Sequence, residues 1–171
     1  MLYPPFEKII LNVQKEIAEA GLPLYPYCDY RSYIESDNLF KIGREIAGEP
    51  CWCNNKLNKI GTCLKHPLGL IITNAKGGYS YHNFALGMDE VGKINGKWTW
   101  NLKNEIWQEY GDIIKSNGLI WGYDWNNNGK VDYNDNDKPH CNYITSVTLG
   151  EMRILYDLGG LPRVWQELDK Y

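Results

Sequence analysis

Apolar residues Ile9, Ile10, Val13, Ile17 and Ala18 recur at helical spacing through residues 6–20, and Gly21 with Pro23 ends the run. A segment rich in Pro and Tyr, residues 22–30, reads as extended chain leading to Arg31. Residues 32–46 predict a second helix, with Ser32 as N-cap and Glu35 in the reciprocal capping position. Residues 47–69 hold Gly, Pro, Asn and three cysteines without periodicity and read as a loop or insertion. Residues 70–73 are β-prone, and Gly77-Gly78 then breaks the chain. Residues 85–91 predict a strand carrying Asp89, followed by an Asn95-Gly96 turn and the segment 97–100. Residues 102–116 predict a third helix, with Ile106, Tyr110, Ile113 and Ile114 on one face and Asn117-Gly118 as its stop. Strands are expected at 119–123 and 140–145, and short terminal helices at 148–156 and 162–170, joined by Gly159-Gly160. No repeat or linker interrupts this order. The expectation is one α+β domain over residues 1–171, a small antiparallel sheet flanked by helices, with a core at about 6–147 and a helical extension at 148–171.

Composition changes that picture little. Hydrophobic residues at 43% and charged residues at 23% suit a globular protein and exclude disorder as a default. A net charge of −3 without a Lys/Arg run argues against nucleic acid as a partner. No apolar stretch approaches the ~20 residues needed to cross a bilayer, and residues 1–8 lack the basic start and apolar run of a secretory signal. The expectation is a monomer without membrane contact, cytoplasmic until something releases it. Seven Trp and 13 Tyr are many; packing is the default role, stacking on sugar the alternative.

Candidate chemistry comes from two stretches, Ser80 to Asp89 and Asp137 to His140. Together they supply two of the chain's three histidines, His82 and His140, with the carboxylate of Asp89. Three such donors leave one tetrahedral position of a zinc ion open, as a catalytic site requires. Asp137, three residues before His140, is the best-placed carboxylate to accept a proton. From the spacings alone, polar core or surface roles for His82 and His140 are an equal alternative. Cys51, Cys53, Cys63 and His66 form C-x-C…C-x-x-H, either a structural zinc site or free thiols.

The string from Thr73 to Asp89 resembles the signature of the VanY-like zinc peptidases of bacterial peptidoglycan, a family with D,D-carboxypeptidases and with L-alanyl-D-glutamate endopeptidases used by many phages as endolysins. Its pattern is S-x-H-x-x-G-x-A-x-D, then W-G-G-D-W, then D/E-x-x-H. Ser80, His82 and Asp89 match the first block, Trp121-Gly122-Tyr123-Asp124-Trp125 the second, and Asp137 with His140 the third. Upstream, Tyr30-Arg31-Ser32 and Leu39-Phe40-Lys41-Ile42-Gly43-Arg44 are similar to the family's Y-R-S…L-Y-x-x-G-R segment. The resemblance implies a hedgehog/D-Ala-D-Ala-peptidase-like fold, His82, Asp89 and His140 as zinc ligands, Asp137 as general base, and Arg31 and Ser80 as substrate-holding residues. A guanidinium grips a peptide carboxylate through parallel hydrogen bonds, which suits a stem peptide. The family's Gly and Ala are exchanged here as Ala85 and Gly87, Asp37 stands where Gln is frequent, and the base is Asp rather than Glu.

Residues 124–135 fit a twelve-residue EF-hand calcium loop. Asp124, Asn126, Asn128, the Lys130 carbonyl, Asp132 and Asp135 stand at the ligand positions, and Gly129 at the sharp turn. Helical flanks are absent, and an Asn/Gly-rich turn held by side-chain-to-backbone bonds is the alternative. The functional expectation is a zinc-dependent endolysin cutting the L-alanyl-D-glutamate bond of peptidoglycan, regulated by calcium. A D,D-carboxypeptidase or a non-catalytic metal- or wall-binding module are the rivals.

Overall fold

Two prolines open the first helix, α1 (Pro4–Glu19), where a missing N–H leaves no bond unmade. The computed structural model describes residues 1–51, 65–130 and 137–171. Phe6, Ile10, Val13 and Ile17 form the buried stripe of α1, while Ala18 faces out. Each such side chain contributes roughly 1.5–3 kcal/mol on burial. Strand β1 (Leu24–Cys28) follows, then α2 (Tyr33–Lys41). Ser32 and Glu35 form the predicted capping box.

Helix α2 ends five residues before the predicted stop. Ile42 is extended, Gly43 has φ +75°, and a Cβ there would meet the Leu70 carbonyl at 2.5 Å. The β-prone run at 70–73 therefore packs as irregular chain, with only an isolated bridge from Leu70 to Glu49. Arg44 fastens the two segments by donating to the Phe40 and Thr73 carbonyls at 2.7 and 2.9 Å.

A 3₁₀ turn (Tyr81–Phe84) leads into β2 (Gly87–Ile94), which pairs antiparallel with β1, with β3 (Lys97–Thr99) and with β5 (His140–Asn142). β4 (Ile120–Trp121) pairs with β5, so the sheet runs β1-β2-β5-β4 with β3 attached to β2. The predicted Asn95-Gly96 turn joins β2 and β3 with positive φ at both residues, as a two-residue hairpin requires. α3 (Asn104–Ser116) buries Tyr110 and Ile114 of the predicted face together with Trp107 and Gly111, while the predicted Ile106 and Ile113 are half-buried against the same core. α4 (Leu149–Leu168) carries non-helical backbone at Gly159 and Gly160; the two predicted terminal helices meet there across a kink. Met152, Val164 and Leu168 of α4 join the same apolar cluster as Phe6, Leu86 and Trp121. This is an α+β fold. Among the described residues no helix is long and apolar enough to cross a membrane.

Candidate active site

Strand pairing sets the site. Asp89 on β2 lies opposite Cys28 on β1 and opposite His140 on β5. Directly opposed residues of an antiparallel pair project from the same face of the sheet. His82 reaches this row from the 3₁₀ turn, whose N-cap Ser80 accepts from the His82 N–H at 3.3 Å. Ser80 thus holds the turn that carries a candidate ligand, and its own O–H is left as a donor.

Three of the predicted residues converge on one point. His82 Nε2 is 3.1 Å from Asp89 Oδ1 and 3.1 Å from His140 Nδ1, and His140 Nδ1 is 2.9 Å from the same Asp89 oxygen. Donors bound to one zinc at roughly 2.0–2.2 Å lie about 3.3 Å apart. The set therefore fits a single zinc ion in both chemistry and spacing. The remaining ring nitrogen of His82, Nδ1, faces the Asp29 carbonyl at 2.5 Å, which directs Nε2 toward the other donors. The buried groups are strongly coupled. Burial works against a charge on His82, but neighbouring Asp89 outweighs it and carries the imidazole up to about 10. Burial likewise opposes ionisation of Asp89, yet the two imidazoles hold it well below the usual carboxylate range.

No spacing or motif role points to Asn83. It is fully buried and laces the site together: its Nδ2 donates to the Arg31 carbonyl at 2.7 Å and to Ser36 Oγ at 2.8 Å. Its Oδ1 accepts from the Gly78 N–H at 2.9 Å and the Ser80 N–H at 3.3 Å. The Arg31 N–H in turn donates to the His82 carbonyl at 3.1 Å. Arg31 is therefore fixed beside the donors, with Nη2 3.8 Å from Asp89 Oδ2 and 3.2 Å from Cys28 Sγ. Cys28 is the second residue missed. Its sulfur and the donor atoms of His82 and Asp89 lie within 4.8 Å of one another, and only the cross-strand register reveals it. Asp37, in the position where the resembled family often has Gln, accepts from the Gly77 N–H and so holds the loop before Ser80.

Asp137 stands at the rim. As a residue it is exposed to solvent, yet the protein around its carboxyl strips away part of that group's hydration. That loss of hydration raises its pKa, and nearby Asp89 adds to the rise while His140, His82 and Arg31 pull against it. A carboxyl whose pKa is raised is the better suited to taking up and giving back a proton. The segment from Asp137 to His140 is pinned on several sides. The Pro139 carbonyl accepts from Tyr110 Oη at 2.9 Å and from the Glu90 N–H at 3.0 Å, and Trp121 Nε1 donates to the Lys138 carbonyl at 2.8 Å. Trp125 lies over the His140 ring, with centroids 5.2 Å apart.

Of the predicted calcium ligands, Asp124, Asn126, Asn128 and Lys130 lie within the described residues; Asp132 and Asp135 lie outside them. Asp124 is buried, and its two oxygens accept from the Asn128 and Gly129 N–H groups at 3.0 Å each. Asn126 and Asn128 accept from the Asn128 and Lys130 N–H groups at 3.1 and 2.8 Å. Lys115 Nζ is 3.8 Å from Asp124 Oδ2. Of the cysteine cluster, Cys51 Sγ is 3.0 Å from His66 Nδ1, while Cys53 and Cys63 lie outside the described residues.

The sequence pattern of the family described as D-alanyl-D-alanine carboxypeptidase matches residues 73–143, the stretch from the Ser80 turn to β5. The chain is also 31% identical over 132 residues to the peptidoglycan L-alanyl-D-glutamate endopeptidase CwlK of Bacillus subtilis. That alignment takes in 72% of this chain and 66% of the relative, so the chain spans just under two thirds of the relative's length.

Proposed function

From the premise that the chain belongs to the D-alanyl-D-alanine carboxypeptidase family, we propose that it is a zinc-dependent peptidoglycan peptidase cutting the L-alanyl-D-glutamate bond of the stem peptide. The observation that carries this reading is the meeting of His82 Nε2, Asp89 Oδ1 and His140 Nδ1 at 2.9–3.1 Å from one another. These three residues would hold the zinc. When bound, zinc supplies Lewis acidity to the scissile carbonyl and makes water more acidic. Arg31 grips a substrate carboxylate with its guanidinium, and the Ser80 O–H donates to the peptide. An Asp137 carboxylate oxygen takes the proton of the attacking water and returns it to the leaving amine.

The choice of bond rests on the named activity of the Bacillus subtilis relative. Digestion of purified cell walls tests it. New C-terminal L-alanine and N-terminal D-glutamate are expected; release of free D-alanine instead would make the protein a D,D-carboxypeptidase. Asp137→Ala should keep its zinc and lose hydrolysis, and unaltered activity in that variant would remove Asp137 from the mechanism. Clearing of a wall suspension by added protein is the measurement for the endolysin role.

Calcium is the second part of the proposal. Asp124, Asn126, Asn128, the Lys130 carbonyl, Asp132 and Asp135 would bind it, and the loop then fixes the path of the chain into Asp137 and His140. Support comes from the match to the ligand pattern and from the way Asp124, Asn126 and Asn128 already curl the loop around their own oxygens.

A further inference from the structure

We propose that Cys28 is a fourth protein donor at the zinc centre. The inference rests on the reading of His82, Asp89 and His140 as zinc ligands and extends it. A register irregularity between Pro26 and Cys28 brings the last residue of β1 opposite Asp89, which is itself opposite His140. One row across three strands therefore carries a thiol, a carboxylate and an imidazole, and His82 closes it from the 3₁₀ turn. The sulfur lies within 4.8 Å of the donor atoms of His82 and Asp89. Thiolate and imidazole are both favoured zinc donors, with sulfur bound at about 2.3 Å.

Arg31 holds this thiol in place. Its Nη2 donates to Cys28 Sγ at 3.2 Å, which keeps the sulfur beside the donor atoms of His82 and Asp89. Cys28 is also only half-buried. By contrast Cys141, next to His140 on β5, is fully buried and projects from the opposite face of the sheet. On ligation the Cys28 S–H gives its proton to solvent as the sulfur–zinc bond forms, with no change of oxidation state. Four protein donors close a tetrahedral site, whereas hydrolysis needs one position open. Cys28 thus holds a resting form, and Arg31 couples it to substrate: a carboxylate that draws the guanidinium away from the sulfur favours the open form.

The test loads the full chain with cobalt(II) in place of zinc, with Cys51→Ser, Cys53→Ser and Cys63→Ser introduced so that the other cysteine cluster is silent. The expected spectrum has tetrahedral d–d bands together with a near-ultraviolet sulfur-to-cobalt charge-transfer band. Adding Cys28→Ser should abolish the charge-transfer band, keep the d–d bands, and weaken metal affinity about tenfold or more, since even an outer partner of a ligand is worth that much. Should the triple variant prove insoluble, X-ray absorption of the zinc-loaded natural sequence against Cys28→Ser reads the same loss of one sulfur neighbour. Tetrahedral bands without charge transfer in the Cys28-containing protein, or charge transfer that survives Cys28→Ser, would overturn the role of Cys28 and leave the three-donor site standing. Absence of tetrahedral bands in both proteins would sink the zinc reading itself, and this inference with it.

Discussion

Gly122 and Asp137 are locked backbone to backbone: the Asp137 N–H donates to the Gly122 carbonyl at 3.1 Å, and a Cβ on Gly122 would stand 2.5 Å from the Asp137 carbonyl. The same Cβ would lie 3.0 Å from His140 Cβ. A candidate base and a candidate ligand therefore depend on the absence of one methyl group.

Gly122→Ala should accordingly displace both residues. The expected cost is about 1–3 kcal/mol of stability, as for other forced contacts in packed regions, with a fall in zinc affinity. Denaturation of the metal-free variant and a competitive metal titration measure the two effects separately.

Asn83→Ala removes the amide that joins Arg31, Ser36, Gly78 and Ser80. Several buried partners lose their hydrogen bonds at once, and the expected destabilisation is about 2–4 kcal/mol. In folded variant protein, KM for wall substrate should rise through the loosened Arg31; steady-state kinetics below the melting temperature would show it.

Ala85 sits at φ +61°, ψ +33°, a left-handed conformation that disfavours a side chain. Ala85→Gly should stabilise the fold by about 1 kcal/mol, and a drop in melting temperature would contradict the strain.

Glu90 is buried beside Asp89, and Oε2 has no hydrogen-bond partner among the described residues. Burial pushes its pKa up to about 7; Gln14 opposes the rise and Asp89 adds to it. The folded chain holds this proton where the unfolded chain has released it, so stability falls as pH rises from about 4.5 to about 7. Glu90→Gln should match the natural protein near pH 4 and exceed it by about 3 kcal/mol above pH 7. Urea denaturation of both metal-free proteins across that range isolates the carboxyl from the histidines. Parallel curves at every pH would refute it.

Calcium removal is checked with enzyme stripped by chelator and reloaded with zinc alone. Hydrolysis should be slower than after calcium is restored, and Asp124→Asn should reduce the difference. Equal rates with and without calcium would end the regulatory proposal.

Periodicity exposed the helices because their burial is local: the stripe at Phe6, Ile10, Val13 and Ile17 and the Ser32–Glu35 cap are written into neighbouring residues. The histidines and Asp89 were legible through motif order, and the structure brings them together. Asn83 and Cys28 were not. The role of Asn83 depends on chain segments about fifty residues upstream, and that of Cys28 on a cross-strand register with an irregularity that no spacing rule anticipates. The end of α2 was missed because Gly43 answers to Leu70, a contact that local propensity does not contain.

Asp89 and His140 are separated by 51 positions and His82 and His140 by 58. An ion gripped by all three acts as a cross-link, closing a long loop much as a disulfide does. Because chelation of this kind needs β2 and β5 already paired, it rewards only the finished topology, and partly assembled chains gain nothing from it. Metal supply would then set how long each copy survives unfolding and proteolysis as well as whether it cuts.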